Sequence, residues 1–227
     1  MKKLVLLAAA ALVALTGCAA DTHATFTDQQ SQTVLFGQET QSSLGALGFS
    51  GATNTIATDT VEKYLEGVKG GGDIFNPATC EDSARVLILA NRDAASQDTF
   101  YALPALVAGS TIVNVKARLF STDGAAKQFI ADYQKAVEGC PSFTDTQGTD
   151  TIGVRVAVSE ADADGKGFRM DTLAGTTANP TSFRTYIVRE GNLAIAVQGV
   201  TATDDDANLL VAASTALYAA MTAGAQE

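Results

Sequence analysis

The chain contains no tryptophan, one histidine, three cysteines and four prolines in 227 residues, and only 15 Lys and Arg against 25 acids. Each shortage removes a class of function. The single imidazole is His23, which lies in the polar stretch ahead of the apolar pattern that starts at Thr33. Ser-His-Asp and Cys-His nucleophilic catalysis therefore lack their base in the folded part. A Cys/His metal site is disfavoured on the same ground, since no second cysteine lies close to another. A net charge of −10 leaves no clustered Lys and Arg for phosphate neutralisation, so nucleic acid is not an expected partner. Paired carboxylates alone can hydrolyse glycosides. Sugar sites usually present aromatic faces, though, and with five Tyr and no Trp a carboxylate-based hydrolase ranks last among the readings. No cofactor is implied.

What is present begins with an address. Met1-Lys2-Lys3 is positively charged, and Leu4 to Leu15 forms an apolar core about a dozen residues long, too short to span a bilayer and the length of a secretory signal. Leu15-Thr16-Gly17-Cys18 resembles the bacterial lipobox: an aliphatic residue, a small one, Gly and Cys. That resemblance implies cleavage after residue 17, a diacylglycerol on the Cys18 thiol, and a lipid-anchored protein on the extracytoplasmic face of the cell membrane. The alternative is an ordinary signal peptide with a chance Cys, or a buried amino-terminal helix. No later uninterrupted apolar stretch approaches 18 residues. Loss of Lys2 and Lys3 takes the formal charge to −12, so the acyl group and not electrostatics would hold the chain at the membrane.

Cys18 being set aside, Cys80 and Cys140 remain. In a chain that leaves the cytoplasm they read as one disulfide, closing a loop of about 60 residues worth roughly 4 kcal/mol on the chain-entropy model. Two buried free thiols, or a metal site, are the alternatives.

Residues 1–17 are thus expected to be a signal, 18–32 a lipidated Cys and polar tether, and 33–225 a single domain. Val34, Leu35, Leu44 and Leu47 fall at loosely helical spacing and Gly48 follows. Thr60 caps a short amphipathic helix through Val68, ended by Gly70-Gly71-Gly72. The segment from Glu81 to Asn91 reads equally as helix or strand. Thr111 to Phe120 reads as a strand. Ser121-Thr122-Asp123 opens a helix whose stripe Ala126, Phe129, Ile130, Tyr133 and Val137 runs to Gly139-Cys140. Ile152–Val158, Gly167–Leu173, Ser182–Val188 and Leu193–Val200 follow as strands, with turns at Asp162–Gly165 and Arg189–Asn192. Thr203 with Asp204-Asp205-Asp206 starts a final helix buried along Leu209, Leu210, Ala213, Leu217 and Met221. The sum is an α+β fold: an antiparallel sheet of about five strands with helices packed on one face, and one disulfide.

Pro77 to Cys80, Phe120 to Cys140 and Arg189 to Val200 follow in an order similar to the PknH-type extracellular sensor domain of actinobacterial serine/threonine kinases and stand-alone lipoproteins. That family typically carries two disulfides and often a Trp; this chain has one cysteine pair and no Trp. The resemblance implies an envelope ligand-binding or sensing module with a cleft on its sheet and no catalytic residues.

The remaining motifs weigh toward structure. Gly48-Phe49-Ser50-Gly51-Ala52 lacks the last Gly of a nucleophile elbow, and Gly70–Gly72 lacks the Lys of a phosphate loop. Glu160, Asp162 and Asp164, with Gly165 next and Asp171 at loop position twelve, approach a calcium loop. A solvated β-turn between strands is the other reading. A non-catalytic binding or sensing lipoprotein is therefore expected, with an envelope ligand or partner protein. A structural or antigenic surface lipoprotein without a small ligand stands second.

Overall fold

The structure is a computed structural model, and it describes residues 25–50, 57–60, 74–80, 98–102, 105–147, 149–159, 166–176 and 178–225. Cys18, Glu160, Asp162, Asp164, the expected helix over 61–68 and the segment 81–91 lie outside the described residues.

Thr27 caps α1 (Asp28–Phe36), its hydroxyl accepting from the Gln30 amide while the Gln30 side chain accepts from the Thr27 amide. Gly37 then separates α1 from α2 (Gln38–Ala46). A Cβ at Gly37 would sit 2.3 Å from the Thr33 carbonyl oxygen. Four short strands follow, β1 (Ala57–Thr60), β2 (Ile74–Asn76), β3 (Thr99–Ala102) and β4 (Leu106–Ala108). Next come β5 (Thr111–Leu119), α3 (Asp123–Gly139), β6 (Ser142–Gln147), β7 (Asp150–Ser159), β8 (Gly167–Thr176), β9 (Asn179–Glu190), β10 (Leu193–Val200) and α4 (Asp204–Gly224).

All strands join one antiparallel sheet in the order β1-β3-β5-β10-β9-β8-β7-β6-β2, with β4 pairing alongside β5. Among the described residues ten strands replace the expected five. The additional ones, β1 to β4 and β6, are three to six residues long, too short to establish a period of two in the sequence.

The second correction concerns the layers, because helices cover both faces. In β10, Leu193, Ala194, Ile195, Ala196 and Val197 are all buried. Ala194 and Ala196 pack with Phe129, Ile130, Tyr133 and Val137 of α3 on the front face. Leu193, Ile195 and Val197 pack with Val34, Leu35 and Leu44 of α1 and α2 and with Leu210, Leu217 and Met221 of α4 on the back face. A strand covered on both sides reads as a continuous apolar run, and this one does. Asp204–Gly224 has the length and mean hydropathy, 1.3, of a membrane span. Its apolar stripe is nevertheless spent inside the fold, with Leu210, Leu217 and Met221 fully buried.

Regular structure is present ahead of Thr33. Phe26 is buried, and the Asn192 side chain holds it at both ends: Oδ1 accepts from the Phe26 amide at 2.6 Å, and Nδ2 donates to the Phe26 carbonyl at 3.1 Å and to the Phe120 carbonyl at 2.9 Å. Residues 26–32, read as tether, therefore belong to the fold. Cys80 closes a short 3-10 turn (Ala78–Cys80) and is bonded to Cys140 just past α3, with Cα atoms 5.6 Å apart. The free-thiol and metal alternatives are set aside.

Candidate functional site

Apolar side chains on α4 answer those on β5, β10 and β9, and among the described residues the helical cover of the back face ends there. Beyond it β8, β7 and β6 continue with a different set of outward residues. Val154 and Val156 turn to the front core, so Gly153, Arg155 and Ala157 alternate onto the back, where all three are exposed. Leu173, cross-strand from Arg155, is 38% exposed on the same side.

Two hollows lie along this bare half and a third at its border with α4. The largest, about 540 Å³, has Gly153, Arg155, Leu173 and Gly175 in its wall, with the hydroxyl residues Ser142 and Thr144 and the Asn76 amide at its rim. A second of about 220 Å³ adjoins it at Arg155, Ala157 and Asp171, and a third of about 210 Å³ lies by Lys166, Arg169, Tyr186 and Tyr218. The first falls within the size range of small-ligand sites.

Its electrostatics run against the acidity of the whole chain. Asp171 and Arg184 are register partners on β8 and β9, and Arg184 Nε donates to Asp171 Oδ1 at 2.8 Å. Ser159 donates to Asp171 Oδ2 at 2.9 Å, and Arg169 Nε approaches the same oxygen at 3.3 Å. Burial opposes ionisation of Asp171, but the hydrogen bonds from Arg184 and Ser159 and the two guanidinium charges outweigh it, and its pKa falls below the usual aspartate value. The Arg184 guanidinium is correspondingly held above its ordinary range by that hydrogen bond. One carboxylate thus serves two arginines. Arg155 adds a guanidinium for which the described residues supply no ion pair. Among the described residues of β7, β8 and β9 on this face, Arg155, Arg169 and Arg184 outnumber Asp171.

The sequence-predicted residues divide accordingly. Cys80 and Cys140 are together. Asp171, a candidate calcium ligand, sits within β8 with both carboxylate oxygens engaged by Arg184, Arg169 and Ser159. Among the described residues no group of three or more His, Cys, Asp or Glu gathers as metal ligands would. Asp206 completes a capping box with Thr203 and accepts from the Thr111 hydroxyl at 2.6 Å, and these hydrogen bonds lower its pKa. Ser50 lies in a bridge to β4, its amide donating to the Val107 carbonyl at 2.9 Å, which leaves no elbow.

The front face is organised for packing. Arg118 Nε donates to Asp98 Oδ2 at 3.0 Å, both groups 3% exposed, and the guanidinium lies 4.4 Å from the Phe120 ring centroid. Burial alone raises the Tyr133 hydroxyl well above its ordinary pKa. It pushes the Lys116 ammonium down.

The arginines and Gly153 escaped the sequence reading. For Gly153 and Arg155 the signal was present in the outward positions of the strand predicted over 152–158. The apolar inward partners Ile152, Val154, Val156 and Val158 masked it.

No protein-family model and no curated protein matches this sequence. Solved structures do. The chain is similar in fold to the extracellular domain of PknH from Mycobacterium tuberculosis. The likeness covers 87% of this chain and 99% of that one, at a TM-score of 0.56 and 10% sequence identity. The expected resemblance is met at the level of architecture. An X-ray structure of an uncharacterized protein from Mycobacterium smegmatis, the Rv0999 ortholog, covers 77% of this chain and 95% of its own at 17% identity, but a TM-score of 0.37 decides nothing.

Proposed function

We propose that the chain is an extracytoplasmic, lipid-anchored domain that binds or senses a ligand and does no covalent chemistry. The observation that carries this reading is the bare half of the back face, an open and charge-biased hollow of about 540 Å³ on an otherwise covered sheet. The PknH extracellular domain supplies a precedent for the same architecture outside the cell. Leu15 to Cys18 supplies the anchor, and the disulfide suits an oxidising compartment. The sequence's single histidine, His23, lies ahead of α1, which favours binding over acid–base catalysis.

Native mass spectrometry of the full protein, extracted from its own membranes in detergent, tests the reading. A retained small molecule supports it, and an empty protein from every growth condition contradicts it. Cys18→Ala should abolish acylation and release the protein from the membrane fraction; unchanged fractionation would end the lipoprotein reading.

A second reading is an interaction lipoprotein without a small ligand. It is favoured by Val107 and Ile112, register partners on β4 and β5 that are 38% and 48% exposed. Cross-linking that captures a protein partner at these two residues would select it.

A further inference from the structure

We infer that the hollow over Gly153 and Arg155 is built for a small planar anion, a carboxylate or a phosphate ester on a flat body. The inference rests on the binding reading above and goes further by assigning the site and the ligand chemistry.

Gly153 is the starting point. Glycine inside a strand weakens it and is retained where a turn demands it or where another group approaches the backbone closely. Gly175, its register partner on β8, is a glycine of the first kind: its φ is +139°, and a Cβ there would meet the Asn179 carbonyl oxygen at 2.5 Å. Gly153 is not. It is absent from the positive-φ glycines, and the nearest atom to an added Cβ is the Gly175 carbonyl oxygen at 3.7 Å, ordinary contact. Folding therefore does not require glycine at 153, and a β-branched residue would suit the strand better.

What the missing side chain creates is a floor. Gly153 and Gly175 lie side by side on neighbouring strands, so the wall of the hollow includes two adjacent stretches of naked peptide plane. A flat body can lie on peptide planes at van der Waals distance, whereas a puckered ring or a branched chain cannot follow them.

The charge is set by Arg155, two residues along the same face. Its guanidinium presents a planar fork that matches a carboxylate or phosphate in bidentate fashion. Asp171, the neighbouring carboxylate, is already shared between Arg184 and Arg169, so its charge is answered before Arg155 is considered. Ser142 and Thr144 add hydroxyls able to donate to the remaining oxygens of such a group.

The test uses amide shifts in the full chain, with four probes: benzoate, phenyl phosphate, benzamide and cyclohexanecarboxylate. Benzoate or phenyl phosphate should produce saturable shifts at Gly153, Arg155, Leu173 and Gly175, and the tighter of the two identifies carboxylate or phosphate as the natural group. Benzamide, planar but neutral, and cyclohexanecarboxylate, anionic but puckered, should each bind at least tenfold more weakly. Arg155→Gln should weaken the better anion at least tenfold. Gly153→Val should abolish binding while the melting temperature holds or rises, which separates a filled site from a damaged fold. Equal binding of benzamide overturns the anionic assignment. Equal binding of cyclohexanecarboxylate overturns the planar one, and full binding by Gly153→Val overturns the location. Silence toward both planar anions overturns the inference as a whole. A ligand retained in native mass spectrometry would in that case still support the binding function, at another place in the fold.

Discussion

The back face of the sheet is two surfaces on one scaffold. Under α1, α2 and α4, strands β5 and β10 present Val113, Val115, Leu193, Ile195 and Val197, each 1% exposed or less. A few strands away β7 and β8 present Gly153, Arg155, Ala157 and Leu173 to open space. Pairing is antiparallel across both halves, and β7 and β8 are as long as β5 and β10. Backbone geometry therefore does not explain the contrast. Side chains do: the first set gains by being removed from water, and the second contains nothing that would attract a helix. One half holds the fold together, while the other is left unburied at no cost to it.

Substitutions should separate the halves by size of effect. The largest loss is expected under the helices. Leu217→Ala removes a fully buried side chain between α4 and the sheet, and urea unfolding should show a loss of about 2–5 kcal/mol. Cys80→Ser with Cys140→Ser opens the 60-residue loop that ties α3 to β2 and should cost about 2–4 kcal/mol. Asn192→Ala leaves the Phe26 amide and two carbonyls without their partner. The expected cost is about 1–3 kcal/mol, with amide exchange faster at residues 26–36 than elsewhere.

Smaller effects belong to the bare half. Asp171 is depressed in the folded state, so its contribution is complete above the unfolded aspartate value of about 3.9 and is lost as pH falls through the lower folded value. The stability difference between wild type and Asp171→Asn should then shrink between about pH 5 and pH 2. At neutral pH it should stay below about 1 kcal/mol, because the pair is solvent-screened. Gly153→Val should change stability least, by about 0.5 kcal/mol or less and toward greater stability. A loss of several kcal/mol there would place Gly153 among the folding residues and erase the contrast.

Much of the framework was legible in the sequence. The stripe of α3, the caps at Thr122 and Thr203, and the four carboxy-terminal strands are strongly periodic, and the structure places each within a few residues of its expected position. The short strands were not legible, because three to six residues are too few to establish a period. The second helical layer was hidden differently: Ala194 and Ala196 read as small fillers within an apolar strand, and only the fold shows them seating α3. The place of Phe26 in the fold was missed because its anchor, Asn192, lies 166 residues away. The candidate site was the least legible part. Its arginines come from three strands, and one glycine carries meaning only once its neighbours in space are known.

Hydrogen exchange of the full chain, with and without saturating benzoate or phenyl phosphate, tests the division of labour most directly. Slower exchange confined to β6, β7 and β8 around Gly153 and Arg155, with β10 and α4 unchanged, is the expected result. Protection that appears instead along β5, β10 and α4, or nowhere in the sheet, would contradict it.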